Sequence, residues 1–443
     1  MALDEIKKVK LEKLEELRKR GIDPYPASSH RSMTAGEALE QFDMLAESGK
    51  EVALAGRMMA RREHGGSIFF DINDGFKIQA FLKEDSVGPE QFELFKTHFD
   101  IGDFVEVEGT LFKTKKEEKT IEVKHFAMLT KALLPLPEKW HGLQDVEERY
   151  RKRYLDLMMN PEVKDKFVKR AKVIQGIRDY LVKHDFVEVT TPTLQPLYGG
   201  ASARPFKTHF NALDIDMFLR IAPELYLKRL LVGGMERVYE FTTNFRNEGI
   251  DREHNPEFSA VEFYAAYKDY EWGMDFVEDM LATIAPERFK KPFRRISYRE
   301  LMDEHGSLDD TVFKEKVRST LIEPIFVKDY PKEMLPLAKL KPGTDDTVEA
   351  FQFYAGGSEL VKAFTELNDP VDQRERFKAQ ENMRAKGDEE AQRMDEDFVE
   401  ALEYGMPPAA GVGIGIDRLV TLLTDSHSLR EVILFPTMRP KDK

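Results

Sequence analysis

Residues 236–267 constrain this chain most. ERVYEFTTNFRNEG (236–249) alternates in character, IDREHNP turns, and EFSAVEFYAAY (257–267) returns. A period of two puts successive side chains on opposite faces of a strand, so the pattern predicts an antiparallel hairpin. Tyr239, Phe241, Thr243 and Phe245 share one face, and Glu240, Thr242, Asn244, Arg246 and Glu248 the other. On the return strand Phe258, Ala260, Glu262 and Tyr264 fall together. Arg246, Glu248, Phe258, Glu262 and Tyr264 are therefore expected over one surface, which suits a flat charged ligand. The plainer alternative is a solvated face with cross-strand ion pairs.

Two more segments carry unusual strands. In GVGIGIDRLV (411–420) Gly411, Gly413 and Gly415 share one face and Val412, Ile414 and Ile416 the other. A strand face stripped to backbone marks close approach by a ligand ring or tight strand packing. Asp417 is expected to cap the helix that follows, with Arg418 in its first turn. In SELVKAFTELNDP (358–370) Lys362, Phe364 and Glu366 share a face, while Glu359 is out of phase. Glu359 must precede the regular pairing, sit at a bulge, or point elsewhere. Charges on such a strand need water or partners.

The rest of the chain divides by pattern. Residues 1–50 form an N-terminal helical segment, with a helix over 4–20 stopped by Gly21. Residues 51–135 read as short strands plus one helix, PEQFELFKTHF, which suggests a small closed barrel of the OB type. Such barrels stack bases of single-stranded nucleic acid on aromatics. Phe69 and Phe70 are its candidate aromatics, Gln79 a base-edge reader, and Arg57, Arg61 and Arg62 phosphate partners, although each alone is more often ordinary strand chemistry. A proline-bounded linker and hinge helix occupy 136–160, and an amphipathic helix over 161–184 opens the largest domain, 161–443. The 443 residues contain no cysteine, which excludes disulfides, thiol nucleophiles and cysteine-held zinc. Any metal must use oxygen or histidine, which favours magnesium-like ions. The net charge of −14 argues against nonspecific nucleic-acid binding. With no apolar run of transmembrane length and no signal-peptide pattern, the cytoplasm is the expected compartment and no membrane partner is expected.

Taken together, these segments resemble a known family. FRNEGIDREHNPEF resembles motif 2 of class II aminoacyl-tRNA synthetases in the lysyl form of subclass IIb, and GVGIGIDRLV resembles motif 3. FVEVTTPTLQPLYGGASARPF is similar to motif 1, whose proline sits at a dimer interface. RIAPELYLKRLLVGG and AFTELNDPVDQRERF resemble the lysine-pocket segments, and AGRMMARR with IQAFLK the anticodon-binding barrel. The resemblance implies an α+β fold: an N-terminal OB barrel and an antiparallel catalytic sheet of six to seven strands flanked by helices. It implies ATP-dependent activation of L-lysine, transfer to the 3′ end of tRNA(Lys), magnesium (Mg2+) as cofactor, and a homodimer.

Roles follow by the same resemblance. Arg246 would bridge the amino-acid carboxylate and the α-phosphate, with Arg418 as the second catalytic cation. Glu248, His254, Asn255, Phe258, Gly413 and Gly415 would complete the ATP site, with adenine between Phe258 and Arg418. Gly200 and Glu224 would hold the α-amino group. Glu262, Tyr264 and Glu366 would take the ε-ammonium, with Lys362 and Phe364 lining the same pocket. Arg57, Phe69, Gln79 and Glu118 would meet the anticodon. Three departures stand out. Gln352 replaces the glutamate that would ligate magnesium beside Glu359, so this chain offers an uncharged ligand. Lys362 replaces an asparagine near the substrate carboxylate, where it could face that carboxylate, a phosphate or Glu359. The stretch from Ile284 to Leu335 is shorter than the family's, as though an insertion around 285–335 were trimmed. Two rival functions follow: a class IIb relative with another amino acid such as aspartate or asparagine, and a catalytically weak tRNA-binding or regulatory paralogue.

Overall fold

The computed structural model describes residues 3–137, 145–306, 310–388 and 390–441. The expected linker and the trimmed segment fall partly on 138–144 and 307–309, which lie outside those residues. The chain forms two compact units, Met1–Gly142 and Leu143–Lys443.

In the first unit, β1 (Val52–His64), β2 (Ser67–Asn73), β3 (Lys77–Lys83), β4 (Phe104–Lys113) and β5 (Lys119–Thr130) close into a barrel in the order β1-β2-β3-β5-β4. Alternation turns Leu54, Ile68, Phe70, Val105, Val107, Ile121 and Val123 inward, where each is at most 1% exposed. Helix Pro89–His98 joins β3 to β4 and seals the core with Phe92 and Phe95. Proline suits its first turn, where the missing amide donor has no intrahelical partner in any case. The β4–β5 pairing slips at Glu108/Gly109, a bulge that bends the sheet toward closure. A Cβ on Gly109 would stand 1.8 Å from the Glu122 carbonyl oxygen.

The second unit is built on an eight-stranded sheet. Its strands are β6 (Val187–Glu188), β10 (Arg237–Phe245), β11 (Glu257–Ala266), β12 (Arg294–Ser297), β13 (Ile325–Pro331), β14 (Thr347–Ala355), β15 (Ser358–Thr365) and β16 (Ala409–Gly415). They lie in the order β12-β13-β14-β15-β16-β11-β10-β6. The short β7 (Leu194–Gln195), β8 (Lys207–Phe210) and β9 (Ile215–Leu219) make a separate small sheet. The expected hairpin is β10–β11, fully antiparallel. The strand count exceeds the expected six to seven, and both edge pairs, β6–β10 and β12–β13, are parallel. Strands of two and four residues at the edges are too short for periodicity to reveal.

Alternation sorts the sheet into two faces. Val261, Phe263, Phe351, Phe353, Val361, Ala363, Val412 and Ile414 pack one face into a core with helices Pro161–Lys183, Tyr270–Ile284 and Ile416–Leu423. The opposite face carries two parallel rows. Ala350, Phe364, Gly411, Tyr264 and Val238 are cross-strand neighbours in one. Gln352, Lys362, Gly413, Glu262 and Glu240 form the next. The sheet thus sets a polar row beside an apolar one, and helix Glu224–Val232 packs over that face through Leu225, Leu227 and Leu231.

Gly109→Ala is expected to destabilise the barrel by about 2–3 kcal/mol, because a backbone oxygen cannot rotate away as a side chain can. Urea denaturation of the full chain measures it. An unchanged midpoint would mean that the strand pair opens at the bulge without loss.

Candidate active site

The polar row ends in a buried acidic pocket. Glu262 lies on β11, Glu366 follows β15, and Glu224 opens helix Glu224–Val232. Four residues on, one helical turn, Lys228 returns to the same side. Its Nζ donates to Glu224 Oε1 at 2.7 Å, pairs with Glu366, and lies 5.4 Å from the Phe364 ring centroid. Burial alone would lower the Lys228 pKa, but Glu224 and Glu366 together raise it, so the lysine is charged. The Tyr264 hydroxyl donates to Glu262 Oε2 at 3.2 Å. Burial, then the nearby Glu224, pushes the Glu262 pKa up to about 8. Burial likewise raises Glu366 well above the carboxylate range, despite Lys228.

Two glycines let these groups converge. A Cβ on Gly411 would meet Glu366 Oε1 at 1.9 Å and the Tyr264 ring at 2.5 Å. Gly200 has φ +84°, a left-handed conformation, and its added Cβ would stand 2.9 Å from Glu224 Cβ. Three carboxylates therefore face one lysine in a dry pocket. Glu366 Oε1 is buried with no hydrogen-bond partner among the described residues. Ionising these acids in a buried site is costly, so Glu262 and Glu366 favour their protons until a cation replaces them. Glu240 is excluded from this count, since Arg220 binds it at 2.5 Å and the Thr191 amide and hydroxyl complete its shell.

Along the same face the charge reverses. Arg246 follows β10, with its guanidinium 5.0 Å from the Phe258 ring centroid and its Nε buried without a partner among the described residues. Burial lowers its pKa while Glu248, Glu262 and Glu359 oppose that shift. Arg418 donates to the Glu359 carbonyl at 3.2 Å, stands 4.0 Å from its carboxylate and contacts His254 Nε2 at 3.4 Å. Asn255 donates to the Glu257 carbonyl at 2.6 Å and leaves Oδ1 buried and unpartnered. Between the two ends lies Gly413, where even an added Cβ would make only ordinary contacts, the nearest 3.6 Å to Glu262 Cγ. Gly415 is equally open. The glycine face is thus filled at 411 and bare at 413 and 415.

Glu359 reaches this face through a bulge. Phe353 pairs with Val361 and Tyr354 with Glu359, so Leu360 is the extra residue. Leu360 and Val361 both enter the core on the far side, and Glu359 returns to the face of Lys362. Of the three expectations for Glu359, the bulge is the one realised. The Lys362 side chain is exposed, on the same sheet face as Gly413 and Glu262, with protein packed close around it. Burial lowers its pKa, with Glu359 and Glu224 opposing and Arg246 reinforcing that shift.

Several expected roles change. Gln352 does not present a metal ligand: its Oε1 accepts hydrogen bonds from the hydroxyls of Tyr330, at 3.1 Å, and Tyr354. Glu359 alone cannot make a magnesium site, and no cluster of three or more histidine or acidic residues suited to a metal occurs among the described residues. The residues present do not fit a protein-held divalent ion. Asp417 does not cap its helix; it accepts the Ser259 amide at 2.8 Å and pairs with Arg170 at 2.5 Å. Lys228 was missed because a lysine four residues after a glutamate on a helix ordinarily signals a solvated pair.

On the barrel, Phe69 stacks on Phe81 with centroids 4.3 Å apart, and Phe112 lies 6.1 Å beyond. Lys83 sits 5.0 Å over Phe81. This half-exposed aromatic row with a cation suits base stacking. Phe70 belongs to the core instead, facing inward as strand neighbours must. Gln79 is 5% exposed and takes the Thr120 hydroxyl, and Arg57 is bound to the Gly102 carbonyl and stacked on Phe104. Arg61 binds the carbonyls of Phe99 and Lys96. Glu118 is exposed on the β4–β5 turn.

Comparison with known proteins agrees with both units. A family model of class II tRNA synthetases (D, K and N) matches residues 145–439, and an OB-fold nucleic-acid-binding model of anticodon type matches 52–129. The lysine–tRNA ligase of Carboxydothermus hydrogenoformans is 48% identical, covering 99% of each chain. That of Moorella thermoacetica is 48% identical over 100% of this chain and 99% of its own. That of Roseiflexus sp. is 47% identical over the whole of both. The Moorella alignment spans 488 positions on a chain of 443, so at least 45 positions of the relative have no counterpart here.

Lys228→Met is expected to cost about 3–5 kcal/mol of stability, because it strands Glu224 and Glu366 in a dry pocket. Adding Glu366→Gln should recover part of that loss. Urea denaturation of both variants decides, and equal stability to wild type would deny the lysine its structural role.

Proposed function

The chain belongs to the class II tRNA synthetase family of the D, K and N type, and on that premise we propose that it activates lysine with ATP and transfers it to tRNA. The observation that carries the choice of amino acid is the cation-deficient pocket, with its buried unpartnered Glu366 oxygen. An ammonium ion supplies what Glu262, Tyr264 and Glu366 lack. An acidic side chain such as aspartate would add repulsion in the same place.

Activation needs no general base, because the attacking carboxylate is already an anion. One carboxylate oxygen forms a bond to the α-phosphorus while the bond to the β-phosphate oxygen breaks. Pyrophosphate leaves with the electron pair. Catalysis is then positioning and charge neutralisation. In this reading Arg246 spans carboxylate and α-phosphate, and Arg418 meets phosphate and the adenine ring. The free face of Phe258 receives adenine, supported by Glu248, His254 and the Asn255 oxygen. Gly413 and Gly415 form the floor, and Gly200 with Glu224 takes the α-amino group. Phe364 walls the alkyl chain. Magnesium enters as the counter-ion of the ATP substrate. The terminal tRNA hydroxyl then attacks the acyl carbon and displaces AMP. The anticodon stacks on Phe69 and its neighbours Phe81 and Phe112, with Glu118 at the rim. A homodimer through the segment around Pro192 and a cytoplasmic location complete the proposal. No helix among the described residues is long and apolar enough to cross a membrane.

Exchange of pyrophosphate into ATP, screened over the twenty amino acids, is expected to respond to lysine and not to aspartate or asparagine. Response to aspartate alone would overturn the assignment. A pH dependence also follows. Below its raised pKa of about 8 the free Glu262 holds a proton, and an ammonium ligand needs the carboxylate. Binding therefore releases a proton, and lysine affinity should rise up to about tenfold per pH unit below that pKa and level off above it. Calorimetry in buffers of different ionisation enthalpy measures the proton release, and Glu262→Gln should reduce it, leaving the share that Glu366, also raised by burial, contributes.

A further inference from the structure

The metal position is where this chain differs most from what its fold implies, and the differing residues are themselves informative. Gln352 and Lys362 are direct partners across β14 and β15. The amide has its oxygen occupied by two tyrosine hydroxyls, so it turns no acceptor to the cleft. Glu359 is the one carboxylate of the group. Arg418 stands 4.0 Å from it, and Lys362 and Arg246 lie within its electrostatic reach. A divalent ion held at Glu359 would have Arg418, Lys362 and Arg246 as its neighbours, while the further acids Glu248 and Glu262 act on Arg246 and Glu224 acts on Lys362, so the cations beside Glu359 weaken its hold on the ion.

The position of Lys362 is also defined. On one side its neighbour is Gln352, and on the other the bare Gly413, beyond which lies Glu262. Lys362 and Glu262 are thus two strand spacings apart, roughly 10 Å, with an empty floor between them. A zwitterion lying on that floor with its ammonium toward Glu262 turns its carboxylate toward Lys362 and Arg246. The Lys362 ammonium makes no hydrogen bond or close ion pair among the described residues, so it is free to take an incoming anion.

We propose that Lys362 is a built-in cation that binds the lysine carboxylate and the α-phosphate together, and that the protein ligates no divalent ion of its own at Gln352 and Glu359. The proposal rests on the function proposed above. Before substrates arrive, Glu359 balances one of the three cations. Once they are bound, Arg246, Arg418 and Lys362 face the carboxylate and the polyphosphate. A strand-mounted ammonium needs no capture from solution, so it is preorganised for the charge that develops on phosphate oxygen. The only divalent ion required is the one ATP carries.

The test counts Mn2+ by electron paramagnetic resonance on the full chain, with and without an ATP analogue that has a methylene bridge between its α- and β-phosphates. Wild type is expected to bind no Mn2+ without nucleotide, and with it only the Mn2+ that the analogue carries. The double variant Gln352→Glu/Lys362→Asn should gain at least one protein-held ion per site. In lysine-dependent exchange, Lys362→Met should lose about 10²-fold in kcat at saturating magnesium, and Lys362→Arg should retain most of the rate. Tight Mn2+ binding to nucleotide-free wild type that Glu359→Gln removes would overturn the proposal, as would full activity of Lys362→Met. Failure of wild type to exchange with lysine would count against the proposed function, and the ion count on wild type would still decide the metal question without any variant having to fold.

Discussion

The buried ion pair between Lys228 and Glu366 is the interaction on which the second unit's chemistry depends. It ties the helix carrying Glu224 to the sheet residue at the end of β15. One ammonium shared by two carboxylates lets the protein bury both, yet it leaves Glu262 and the second Glu366 oxygen unserved. The internal lysine makes an acidic cavity affordable and at the same time leaves it unsaturated. Complete neutralisation would have produced a stable core with no appetite for a ligand, while no internal cation would have left three carboxylates that protonate or unfold the site.

Much of this was legible because strands alternate. The hairpin, the glycine face and the shared face of Lys362, Phe364 and Glu366 each follow from a period of two, and the pairing of β10 with β11 respects it throughout. Glu359 shows where the rule bends. One unpaired residue, Leu360, shifts phase, and the sequence admits the bulge without selecting it over the alternatives. What stayed hidden were properties of the third dimension. The hydroxyls around Gln352 come from Tyr330 on β13 and from Tyr354, two residues along β14, and only the folded register brings all three together. Phe81 and Phe112 join Phe69 only once the barrel closes. Lys228 and Gln79 are polar residues whose burial no local pattern announces.

The overall charge of −14 misleads in an instructive way. Net charge sets the far field, but the two surfaces proposed to bind ligands would act at close range. In the sheet, Arg246, Arg418 and Lys362 cluster within one cleft, where low dielectric strengthens each. On the barrel, a short aromatic row with Lys83 above it offers stacking, an attraction that does not require a basic protein. An acidic chain can therefore bind polyanions, provided its few useful cations are concentrated rather than spread.

Gly413 has a consequence for how such a site changes over time. Its floor consists of backbone alone, braced by β11 on one side and β15 on the other. Substitution there can raise the floor but never lower it, so the depth of the bed is fixed by the pleat of the sheet. In the proposed function, what distinguishes one amino acid from another stands around that bed, on Glu262, Tyr264, Glu366 and Lys362. The fold thus separates a permanent seat from exchangeable walls. Under the proposed function, the walls can change to suit a new substrate without disturbing the strand that forms the floor.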